Sequence, residues 1–149
     1  MNKLQWCKNK KNGIRIVDIN ENLAKEYIKK SENSLKMMAK APSEEWKIVA
    51  AYYACYEALY SLLQKTGMKC EIHDCTIHMM KFFDFNKEYI NFLKNLKEKR
   101  INAQYYVAKN VKLQNEKMVK DFVLKCKEIL EKSDFRKIRK KVQIELSQF

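Results

Sequence analysis

Arg100 stands in helical register with Leu93, Leu96, Ala103 and Val107, on the apolar side of its stretch. A guanidinium on such a face needs a counter-charge or an anion, because an unpaired buried charge is expensive. Two readings follow. Glu57 is the one charged residue in the apolar stretch 48–63, and it could close a buried ion pair that fixes helix register. Alternatively, Arg100 faces a groove with Tyr53, and with Tyr105 and Tyr106 a little further along its own helix. Arginine suits phosphate and tyrosine suits base stacking, so that groove would take an anion such as a nucleotide. His73, in a loop, could line the same site and move protons there. Arg100, Tyr53, Glu57, His73, Tyr105 and Tyr106 are therefore the candidate ligand-binding set.

Cys70, His73, Cys75 and His78 offer two thiolates and two imidazoles, the donor types that hold zinc. They are crowded into one short stretch, whereas structural zinc sites usually use two separated pairs. The preferred reading has His73 hydrogen-bonded in the loop and Cys70 and Cys75 packed as small hydrophobes, with no metal and no cofactor. No glycine-rich phosphate loop, nucleophile elbow or metalloprotease helix is present. Nor does any carboxylate pair suggest acid–base work. The basic run 136–141 reads as a solvated tail or as a phosphate-tracking patch.

These side chains must be positioned by helices. With two glycines and one proline in 149 residues, an all-α domain is favoured before any pattern is read. The stretch 48–63 is apolar on most of its circumference, so it reads as a central helix surrounded by others. Ser43 should cap it, Trp46 should begin its buried face, and Gly67 should stop it. A preceding helix should start at Asn20, bury Ala24, Tyr27, Ile28, Ser31, Leu35 and Met38, and end at Pro42. Asp74 should cap a short helix facing Ile77, Met80 and Phe82 or Phe83. Asn86 should cap the helix of Arg100, which is expected to run to about Asn110. A further helix should present Leu113, Met118, Phe122, Leu124 or Lys125, and Ile129. The expectation is a four- to five-helix up-and-down bundle over 20–132. A basic arm over 1–19 should pack Trp6 and Ile16 onto it. A basic tail over 133–149 reads as helix, strand-like arm or disordered.

The formal net charge of +13 points to a polyanionic partner, RNA, DNA or a nucleotide, or else to a lysine-rich composition spread without purpose. Five cysteines, an odd number, and no apolar leader are read as free thiols in a reducing cytoplasm. No transmembrane segment is seen.

The ordered set resembles one family. Trp46 followed by Ala51, Tyr52, Tyr53, Ala54, Tyr56 and Ala58 looks like the central helix of HEPN domains. So do Leu62, Leu63, Gly67, the loop residue His73, and Arg100 followed by Ala103, Tyr105 and Tyr106. The loop Ile72-His73-Asp74-Cys75 is similar to archaeal members of the group. The resemblance covers about residues 21–132. It implies a helical bundle, often a homodimer, that binds nucleotide or RNA and pairs with a minimal nucleotidyltransferase in toxin–antitoxin modules. It also implies, as an alternative, a metal-independent RNA endonuclease using an Arg and a following His. Here Arg100 is followed by Ile-Asn-Ala-Gln-Tyr-Tyr, with no His, and Gln104 stands where similar proteins show Asp. Only His73 could supply the missing base, so the resemblance leaves the catalytic residues unfixed, with Arg100 and His73 as the candidates. Tyr105 or Tyr106 would be the tyrosine that such a nucleotidyltransferase modifies.

Overall fold

The apolar stretch forms α3 (Glu44–Thr66), and the rest of the chain is wrapped around it. This is a computed structural model that describes residues 2–106 and 111–149. Ser43 accepts the Trp46 N–H, and Glu44 and Glu45 complement the positive end of the helix. Gly67 closes it at φ 83°, donating its N–H to the Leu63 and Gln64 carbonyls. Between Ile48 and Gln64 every residue is buried except Val49, Tyr53 and Glu57. Those three stand at four-residue steps, so they form one half-exposed seam on an otherwise enclosed helix.

Three helices pack on α3 to make an up-and-down bundle. They are α2 (Glu21–Lys40), α5 (Lys87–Tyr105) and α6 (Glu116–Lys132). Each starts at an asparagine whose side chain accepts a backbone N–H of the first turn: Asn20, Asn86 and Asn115. Ser31 of α2 donates to the Ala54 carbonyl across the closest helix pair, at 2.6 Å. Only small residues permit such an approach.

The ends of the chain complete the structure. α1 (Lys3–Asn9) leads into a strand β1 (Arg15–Ile16), paired antiparallel with β2 (Met68–Lys69). α4 (His73–His78) runs on into a 3-10 turn over Met79–Phe82. The basic tail is helix α7 (Phe135–Leu146), which buries Phe135, Val142 and Leu146. Its run of charges is thereby split around a helix. Arg139 turns inward and donates to the carbonyls of Val17, Thr66 and Gly67 at 2.9, 3.0 and 3.1 Å. Lys8 of α1 in turn donates to the Leu146 and Phe149 carbonyls. Both termini are therefore bound into the fold by charge-assisted bonds.

Several expectations are corrected. Trp6 does not anchor the N-terminal arm; it lies at the surface with Lys3 and Lys10 over its ring, while Leu4, Cys7 and Ile14 are buried. Ile16 does pack against the core. Trp46 does not begin the buried face of α3; Ile48 does. Ile72 rather than Asp74 precedes α4, and Asp74 falls in its first turn. Leu113 precedes α6, whose buried side is Val119, Phe122, Val123, Cys126 and Ile129, with Leu124 exposed. α5 ends at Tyr105, with Tyr106 already extended, short of the end expected near Asn110, and Val107 lies outside the described residues.

The free-thiol expectation is also corrected. Cys7 and Cys75 form a disulfide joining α1 to α4, while Cys55, Cys70 and Cys126 are free and buried. The cause is tertiary: folding brings two buried small side chains together across 68 residues of sequence. Among the described residues no helix is long and apolar enough to cross a membrane.

Candidate anion site at Arg100

Arg100 lies on the inner face of α5, with Leu93 and Leu96 buried on the turns before it. Only 7% of it is exposed. Its guanidinium carbon sits 4.8 Å from the ring centre of Tyr52 and 5.7 Å from that of Tyr53, both on α3. Two aromatic faces thus partly neutralise the cation. Nη1 donates to Gln104 Oε1 at 3.3 Å, one turn on. Nε is buried and has no hydrogen-bond partner among the described residues. A neutral amide at 104 leaves the positive charge without a carboxylate.

The ion pair with Glu57 does not form. Glu57 turns towards α2 and accepts from Ser34 Oγ at 2.6 Å. Burial pushes its carboxyl upward, and the Ser34 bond and nearby Lys30 oppose that. Sequence reasoning paired Arg100 with Glu57 because each was the one charge on its helix face. It could not see that α2 offers a buried hydroxyl on the nearer side. Glu57→Gln is accordingly expected to change stability by no more than about 1 kcal/mol, the scale of one neutral-for-charged hydrogen bond. Urea unfolding tests this. A loss of about 3–5 kcal/mol, as for a broken buried ion pair, would show that Glu57 does compensate Arg100.

His73 opens α4 and lies against the same tyrosines. Its Nδ1 is 2.7 Å from Tyr52 Oη, and its ring stacks on Tyr56 with centres 4.0 Å apart. Burial, together with the Arg100 and Lys97 cations, lowers its pKa to about 4, with Asp74 opposing. The imidazole is therefore neutral at pH 7. Burial raises the Tyr52 and Tyr56 phenols, which stay protonated. Lys97 of α5 bonds Asp74 at 2.6 Å, so the carboxylate beside His73 is neutralised from outside. The result is a cation, a neutral imidazole and three phenols, with no free negative charge among them.

The His73 shift sets a pH dependence. An unfolded histidine binds its proton near pH 6.5, the folded one only near 4. As pH falls through that window the unfolded state takes up the proton first, so stability is full above about 6.5 and declines towards 4. Discounted for the partial exposure of the ring, the loss attributable to His73 is about 1–2 kcal/mol. Urea midpoints at pH 7 and pH 4.5 for the wild type and His73→Gln isolate it from the other titrating groups. Equal slopes in the two proteins would contradict the assignment.

Of the six ligand-binding candidates, the structure thus gathers Arg100, Tyr53 and His73. It separates Glu57, and it leaves Tyr105 and Tyr106 exposed at the end of α5. Tyr52, which touches both Arg100 and His73, was not among the candidates. The available signal was its place among the tyrosines at 52, 53 and 56 of one helix. Cys75, one of the four possible zinc donors, is held in the disulfide. Among the described residues no group of three or more His, Cys, Asp or Glu is placed to hold a metal ion. Comparison with protein-family models, curated proteins and solved structures finds nothing that matches this chain.

Proposed function

We propose that the chain is a HEPN-type bundle that binds RNA or a nucleotide through Arg100, as a homodimer, beside a minimal nucleotidyltransferase in a toxin–antitoxin-type pair. One observation carries the reading: a nearly enclosed guanidinium, framed by tyrosines, has among the described residues no carboxylate and no acceptor for its Nε–H. Structural arginines are usually paired, because an uncompensated charge is expensive. A phosphate would supply both the missing charge and the missing acceptor. The net charge of +13 favours the approach of such a ligand. Titrating labelled single-stranded RNA at 50 and 200 mM salt tests it. Affinity should fall steeply with salt in the wild type, as phosphate contacts require. Absence of binding at low salt, or recovery of no nucleotidyltransferase with the native protein, would remove the two halves of the proposal respectively.

A second reading, an RNA endonuclease, is favoured by His73. A neutral imidazole beside a guanidinium could take the proton of a ribose 2′-hydroxyl as its oxygen bonds to phosphorus, the P–O5′ bond breaks and the 5′-oxygen takes a proton from water, while Arg100 stabilises charge on the phosphate. Incubation with total RNA should then give cleavage that Arg100→Ala abolishes. Intact RNA with the wild type, or cleavage unchanged in the variant, ends that reading.

A further inference from the structure

Between the end of α2 and the start of α3 runs an apolar groove of about 600 Å³, lined by Met37, Lys40, Pro42, Trp46, Val49 and Tyr53. That volume is within the range of small-molecule sites, about 300–1,000 Å³. Its most unusual member is Trp46, which is 56% exposed although the start of a buried helix would be expected to cover it. Its wall is the half-exposed seam of α3, and Tyr53 on that seam also contacts Arg100. Lys36 and Lys40 stand on the α2 side. The half-exposed Glu57 carboxylate on that seam accepts from Ser34, and Ser34 itself lines the groove.

We infer that this groove is a nucleobase subsite for single-stranded RNA, in which a base stacks on Trp46 and its backbone passes Tyr53 towards Arg100. The inference rests on the RNA reading above and adds to it where the base goes. Exposed indole on an apolar floor gives a flat stacking surface that accepts any base. The lysines complement the backbone charge, and Tyr53 both lines the groove and lies 5.7 Å from the Arg100 guanidinium carbon. Base identity would be weakly read, because stacking carries no hydrogen-bond code.

The experiment uses a labelled twelve-residue uridine RNA. In a Trp6→Phe background Trp46 is the sole indole, and RNA binding should quench its emission saturably. Trp46→Ala should weaken binding by about 5- to 100-fold, the scale of one stacked base, and Trp46→Phe should restore most of it. The melting temperature should hardly move, because the side chain is largely at the surface. If Trp46→Ala leaves affinity unchanged while Arg100→Ala lowers it, the subsite is wrong and the Arg100 reading stands. If the wild type fails to bind, or neither variant matters, both fall. If Trp46→Ala instead converts a dimer to monomer with RNA affinity unaltered, the groove is a contact between two copies and the inference is overturned.

Discussion

Replacing Cys7 and Cys75 together by alanine is expected to lower the unfolding free energy by about 4 kcal/mol, the largest stability change for any pair of residues considered. The bridge closes 68 residues of sequence. In the chain-entropy account a loop of that length removes about 4 kcal/mol of disorder from the unfolded state. For a domain of this size that corresponds to a fall of about 10–15 °C in melting temperature. Both sulfurs are fully buried, so a thiol reductant should act only on opened molecules. The wild type should accordingly resist reduction in native buffer and yield in urea. The bond also ties α1 to α4, the helix that carries His73 and Asp74. Urea unfolding of the double variant checks the figure. A change below about 1 kcal/mol would mean that the remaining contacts of α1, chiefly Leu4 and the Lys8 bonds, already hold it in place.

Arg100→Ala is expected to weaken RNA binding by about 10- to 100-fold, the range for losing one charge-assisted phosphate contact. Arg100→Lys should recover only part of this. A lysine restores the charge but not the planar fork that lies over Tyr52 and Tyr53. Arg100→Met separates binding from folding. It keeps the apolar stem and removes a charge that has no carboxylate to answer it. Its stability should therefore match or exceed that of the wild type, within about 1 kcal/mol. A Met variant that binds as well as the wild type would show that the guanidinium is structural. One that unfolds would show that the two ring contacts outweigh the cost of enclosing the charge.

Much of this was legible before any coordinates. Helix starts were readable because Asn20, Ser43 and Asn86 each satisfy an orphan N–H by local geometry alone. The end of α3 was readable because Gly67 must adopt a left-handed conformation. The inward setting of Arg100 followed from its register with Leu93 and Leu96. What could not be read depended on distant partners. Glu57 is claimed by Ser34 of α2, and Asp74 by Lys97 of α5. Trp46 looked buried because it precedes an apolar run. Yet α2 ends at Lys40, and the short connection through Pro42 leaves the first turn of α3 uncovered. Cys7 and Cys75 meet only because α1 folds over α4, and no local pattern encodes that. Nor could sequence alone decide that the basic tail is a docked helix, which turns on Arg139 finding three carbonyls at the end of α3.

The central claim is that the buried guanidinium of Arg100 is the anion receptor. Its Nε–H resonance, assigned by its loss in Arg100→Lys, reports on this directly because that proton has no acceptor among the described residues. On titration with a nucleoside monophosphate or short single-stranded RNA, the resonance should shift saturably downfield, at the same concentrations that shift Tyr52 and Tyr53. If it stays fixed at saturating RNA while resonances elsewhere move, the ligand binds at another surface and the Arg100 site is contradicted.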